Sequence, residues 1–86
     1  MLELSDFKIW LKENTNYSNP VISDIISRLK RANKILNWYN DEIYIFRLEQ
    51  STEFKLLSTS VKSQLKKAVK LYFRYINENR EMEEKQ

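Results

Sequence analysis

The run from Ser58 to Asn79 contains neither glycine nor proline, and its apolar residues recur at one spacing. A helix turns about 100° per residue, so positions three and four apart share a face. On that spacing Val61, Leu65, Ala68, Tyr72 and Ile76 make one apolar stripe, widened by Val69 and Tyr75. Lys62, Lys66, Lys70 and Arg74 follow each other at four-residue steps on a flank of the same cylinder, with Lys67 beside them. The pattern predicts a long helix with one side built for burial and another that is cationic. Ser58 suits its N-cap, where a hydroxyl accepts from an orphan N–H of the first turn.

A lysine row on a helix has two readings. Most such rows only keep a small domain in solution. The other reading is a surface that contacts phosphates, and it needs agreement from the rest of the chain. With 86 residues the chain is one domain, and short enough to leave a thin stability margin. It has no cysteine, which excludes disulfides, thiolate metal sites and cysteine nucleophiles, and fits a reducing compartment. It has no histidine, the usual general base and the commonest metal ligand. A glycine-rich phosphate loop is impossible without glycine. Asp41-Glu42 and Glu83-Glu84 are neighbouring carboxylates, but adjacent helical positions point about 100° apart and suit neither a metal nor an acid/base pair. No enzyme activity, cofactor or metal is therefore expected.

The net charge of +3 is uneven: the surplus lies between Arg28 and Arg74, and Glu81, Glu83 and Glu84 pull the total back. A basic middle favours a polyanionic partner. No apolar stretch approaches the roughly 20 residues of a membrane span, and the N-terminus, with Glu3 and Asp6, lacks a signal-peptide layout. A cytoplasmic location is expected.

Upstream, three more helices are predicted. The first runs from Ser5, as its cap, to about Asn14, with Phe7, Trp10 and Leu11 inward and Lys8 and Lys12 elsewhere on the cylinder. Asn19-Pro20 starts the second, because Asn caps and Pro is favoured where its missing N–H would be unpaired. That helix is predicted to reach about Trp38, with Ile22, Ile25, Ile26, Leu29 and Leu36 on one face. Arg28, Arg31 and Lys34 lie roughly opposite, and Lys30 at the border. Ile43-Tyr44-Ile45-Phe46 favours a strand locally, but nothing else in the chain would pair with one. Asp41 to about Gln50 is therefore read as a short, largely buried helix, and Phe54, Leu56 and Leu57 as core filler in a turn or short helix before Ser58. The expected fold is all-α, a compact orthogonal bundle of four main helices around Trp10, Ile26, Leu29, Leu36, Phe46, Leu65, Ala68 and Tyr72. The domain is expected to span 1–79, with 80–86 a charged tail, either a fraying helix end or the start of a linker.

Packed side by side, the second and last helices would join Arg28, Arg31 and Lys34 to Lys62, Lys66 and Lys70 in one positive field, able to position a duplex without reading its bases. The order of segments also resembles a known family. Phe7…Trp10-Leu11-Lys12-Glu13, a polar loop with Ser18, and Ile22…Ile25…Leu29…Ile35-Leu36…Trp38 precede a short helix. Leu57-Ser58-x-Ser60-Val61-x-x-x-Leu65-x-x-Ala68-x-x-Leu71-Tyr72-x-x-Tyr75-Ile76 closes the pattern. This is similar to the N-terminal core-binding, or SAM-like, domain of phage-integrase-type tyrosine recombinases. Where that family often has Thr and Tyr near the start of the second helix, this chain has Val21 and Ile25, and where it often has Thr this chain has Val61. The resemblance implies a four-helix module that forms half of a clamp on double-stranded DNA, in DNA integration or recombination by a phage or mobile element. The catalytic residues would belong to a separate domain absent from this chain. The implied contacts are phosphate contacts from the second and fourth helices, at Arg28, Arg31, Lys34, Lys62, Lys66, Lys67, Lys70 and Arg74. The rival expectation is a small helical protein-interaction module with no nucleic-acid role, using an exposed patch of Trp38, Tyr39 and Tyr44. A third is a purely structural unit of a longer polypeptide.

Overall fold

The structure, a computed structural model, describes residues 4–84, with side chains to residue 78. The described residues form five helices and no strand: α1 (Ser5–Asn14), α2 (Asn19–Ile35), α3 (Ile43–Gln50), α4 (Thr52–Lys55) and α5 (Thr59–Glu84). None is long and apolar enough to cross a membrane among the described residues. The last helix is the predicted one, and it continues past Asn79 to Glu84. Ser58 caps it as expected, its Oγ accepting from the Val61 N–H at 3.3 Å.

α5 and α2 form the main pair, with α1 packed against both. From α2 the core takes Ile22, Ile25, Leu29 and Ala32, at the three- and four-residue steps of one helix face. α5 contributes Leu65, Ala68, Val69, Tyr72 and Tyr75. Phe7 and Leu11 of α1 complete that side, with the Phe7 ring edge-on to Tyr72 at 5.0 Å between centroids. The small Ala32 and Ala68 are fully buried with them.

Several boundaries differ from the sequence reading for identifiable reasons. Leu4, not Ser5, occupies the N-cap of α1, its carbonyl accepting from the Lys8 N–H at 2.9 Å. Ser18, in extended geometry, occupies the N-cap of α2, which moves Asn19 and Pro20 into the first turn. At its other end α2 stops at Ile35 rather than near Trp38. Leu36 turns extended, and the Asn33 carboxamide oxygen accepts from the Trp38 N–H at 2.8 Å, holding the departing chain against the helix. α3 begins at Ile43 rather than Asp41, with Glu42 at its N-cap; Asp41 holds the turn before it, its carboxylate accepting from the Ile43 N–H at 2.9 Å and its carbonyl from the Tyr44 N–H at 3.0 Å.

α3 is not largely buried. Only Tyr44 and Leu48 enter the core, and Phe46, expected there, is 60% exposed. Leu56 is 81% exposed and fills no core, whereas Phe54 beside it does. Trp10, Ile26 and Leu36 lie half-buried against the core rather than inside it; Leu29, Leu65, Ala68 and Tyr72 are buried as expected. The aromatic group predicted as an open patch is packed instead. Trp38 sits edge-on to both Tyr44 and Tyr72 at 4.9 Å, and Tyr39 edge-on to Tyr44 at 5.3 Å. Such pairs add to the burial of large rings, so this cluster ties the α2–α3 connection to α5.

Candidate nucleic-acid interface

Between Glu53 and Glu78 the chain has no acidic residue but carries Lys55, Lys62, Lys66, Lys67, Lys70 and Arg74. Helix periodicity gathers most of these on the side of α5 opposite its buried arc. Lys66, Lys67, Lys70 and Arg74, with Ser63 and Leu71, line a shallow hollow of about 460 Å³ on that outer side. No carboxylate lines it. Lys62 lies half-buried one turn earlier.

Two of these cations are held by aromatic faces. The Lys67 ammonium lies 5.6 Å from the Tyr17 ring centroid, and the Arg74 guanidinium 5.5 Å from that of Trp10. Arg74 also donates from Nε to Glu78 Oε1 at 3.0 Å, while Trp10 Nε1 donates to Glu78 Oε2 at 3.2 Å. Glu78 thus orients Arg74 and offsets its charge. Lys70 borders a second, mainly apolar hollow where Asp41 and Glu42 approach from the start of α3. Lys66 and Lys70 form no ion pair among the described residues.

The α2 cations do not join this set. The inward arc of α2 is defined by Ile22, Ile25, Leu29 and Ala32. Arg31 and Lys34 lie about 140–160° from it, and Arg28, half-buried, about 80°. Because α2 and α5 meet through their inward arcs, Arg31 and Lys34 look away from the α5 cations. The expected single field of Arg28, Arg31 and Lys34 with Lys62, Lys66 and Lys70 is therefore two fields.

A further cationic surface was not legible as such in the sequence. Lys8 and Lys12 of α1 and Lys30 of α2 line a polar groove of about 660 Å³ between the two helices. The four-residue step from Lys8 to Lys12 was the available signal. Its significance depends on the link at residues 15–18, which folds α1 against α2. No protein-family model matches the chain, and neither a curated protein nor a solved structure does.

Proposed function

We propose that the chain is a DNA-binding accessory module, the core-binding part of an integrase- or recombinase-like protein, and that α5 carries its contact to double-stranded DNA. In this reading α1, α2, α3 and α5 are the four helices of a SAM-like orthogonal bundle, with α4 a one-turn spacer. Strand cutting and rejoining would belong to a catalytic domain outside this chain. The reading rests on one observation: Lys66, Lys67, Lys70 and Arg74 line a single outward hollow with no carboxylate in its wall. Ammonium groups so placed neutralise phosphates and release counterions, which fixes a protein on a duplex without reading its sequence. Arg28, Arg31 and Lys34 stand apart from this contact.

The test is a fluorescence-anisotropy titration of a labelled duplex at several salt concentrations. Affinity on the order of 10⁻⁴–10⁻⁶ M, falling steeply with salt, is expected. The double variant K66E/K70E should bind more weakly and with a flatter salt slope. Absence of binding by the parent chain even at low salt refutes the reading. A protein-interaction role is the second reading. Its support is no longer the Trp38 patch but the exposed Ile43 and Phe46, which line a groove with Ile35 and Leu36.

A further inference from the structure

We infer that the domain holds two DNA duplexes at once, one on the outer face of α5 and a second across the groove between α1 and α2. This rests on the DNA-binding reading above and adds a bridging activity to it. Lys8, Lys12 and Lys30 place three ammonium groups around the groove, with the hydroxyls of Ser23 and Ser27 between them, and no carboxylate lines it. Ammonium groups act as point charges toward phosphate, and hydroxyls donate hydrogen bonds to phosphate oxygens. Beyond the groove the outer side of α2 carries Arg31 and Lys34, both exposed, and no acidic residue occurs between Asp24 and Asp41. The outer side of α2 is therefore free of carboxylates from Ser27 to its end, with the exposed Asp24 at its start.

The packing puts the two surfaces on different helices, with no residue shared between their walls. α1, α2 and α5 contact one another pairwise, so in cross-section they form a triangle. The groove lies between α1 and α2, and the basic hollow lies on the side of α5 away from its buried arc. Contacts from Trp10 and Tyr17 to Arg74 and Lys67 place α1 and the link after it beside α5, and neither lines the hollow with Lys66 and Lys70. The molecule measures 42 × 28 × 18 Å, so even its shortest dimension exceeds twice the Debye length of about 8 Å at physiological ionic strength. Charges on different helix surfaces are largely screened from one another over such distances, and a rigid duplex lying on one does not bend sharply to reach the other.

Bridging is read by capture: one duplex is fixed on beads, the chain is added, and retention of a second, fluorescent duplex is measured beside anisotropy on the free duplex. The parent chain is expected to retain the second duplex. K8E/K12E/K30E should lose retention but still bind a single duplex through α5, and K66E/K70E should lose retention while binding through the groove. K8R/K12R/K30R should retain it, which separates charge from packing; circular dichroism confirms that each variant is folded. Anisotropy binding without capture by the parent chain overturns bridging and leaves the DNA-binding reading standing. Capture that survives K8E/K12E/K30E overturns the groove as the second site. No anisotropy binding at low salt overturns both.

Discussion

The Tyr44 hydroxyl donates to the carbonyl oxygen of Leu36 across 2.6 Å, and lies 3.4 Å from that of Ala32. Leu36 is where α2 ends, so its carbonyl has no further turn to bond to. The bond therefore closes the end of α2 and anchors α3 with one proton. Tyr44→Phe leaves the Leu36 carbonyl without this donor in a half-buried setting. It should cost about 1–2 kcal/mol, seen as a lower urea midpoint with an unchanged slope. A midpoint equal to that of the parent chain would show that water replaces the hydroxyl at no cost.

The same residue sets a pH limit. Burial, and then the neighbouring Tyr39, push Tyr44 from its ordinary 10.0 up to about 12. The native state thus holds the phenolic proton more tightly than the unfolded state. Its contribution is fully present below pH 10, where both states keep the proton. It is lost as pH rises from 10 toward 12, at up to about 1.4 kcal/mol per pH unit. Tyr44→Phe lacks this titration, so the gap between parent and variant should narrow above pH 10. Urea unfolding of both proteins from pH 8 to 11.5 measures it, and a constant gap across that range sinks the assignment.

Tyr39 is the opposite case. Its hydroxyl is buried with no hydrogen-bond partner, while its ring packs edge-on against Tyr44. A buried, unpaired hydroxyl loses its water without compensation. Tyr39→Phe keeps the ring and removes the penalty, so it should be neutral or stabilising by about 1 kcal/mol. A thermal midpoint well below that of the parent chain would mean that the hydroxyl bonds an ordered water. Because Tyr39 also raises Tyr44, the alkaline loss of stability should still begin near pH 10 but level off at slightly lower pH and be smaller in total.

The sequence pattern was most informative where one periodicity ran long enough to have one solution. α5 carries its apolar residues on a single arc over several turns, and its cap is a serine in the expected place. α3 is too short for this. Ile43, Tyr44, Ile45, Phe46 and Leu48 put apolar side chains all round the cylinder, so the pattern does not say which enter. The choice falls to Tyr44 because its hydroxyl reaches the Leu36 carbonyl, a partner that exists only because α2 stops early. The basic residues show the same limit. Each helix placed most of its cations correctly relative to its own buried face, Arg28 at the half-buried flank of α2 being the exception. The sum of two helices depends on how they face each other, which no single periodicity contains. Lys8, Lys12 and Lys30 share a groove only after α1 folds back on α2.

Exposure rather than hydrophobicity should decide the outcome of apolar substitutions. Leu65 is fully buried and Phe46 is 60% exposed. Leu65→Ala removes transfer energy and leaves a cavity, costing about 2–5 kcal/mol, a large part of the stability of a domain this small. Phe46→Ser, though chemically more drastic, should shift stability by less than about 1 kcal/mol. Paired urea titrations compare them. A large loss from Phe46→Ser would place that ring inside a contact that its exposure does not reveal.

Glu78 offers a substitution that should improve binding rather than impair it. Its carboxylate takes the Arg74 Nε–H on one oxygen and the Trp10 indole N–H on the other, holding the guanidinium over the indole face. That arrangement orients Arg74 and offsets its charge within the basic face. Glu78→Gln keeps an oxygen able to accept from one of the two donors and removes the negative charge. The pair is solvent-exposed, so little stability should be lost. With Arg74 released to a phosphate, duplex affinity at low salt should rise a few-fold. The salt slope should steepen by about 0.9, the amount for one further neutralised phosphate. Anisotropy titrations of parent and variant across a salt series measure both quantities. An unchanged slope would mean that Arg74 stays over Trp10 without its carboxylate and takes no part in the α5 contact.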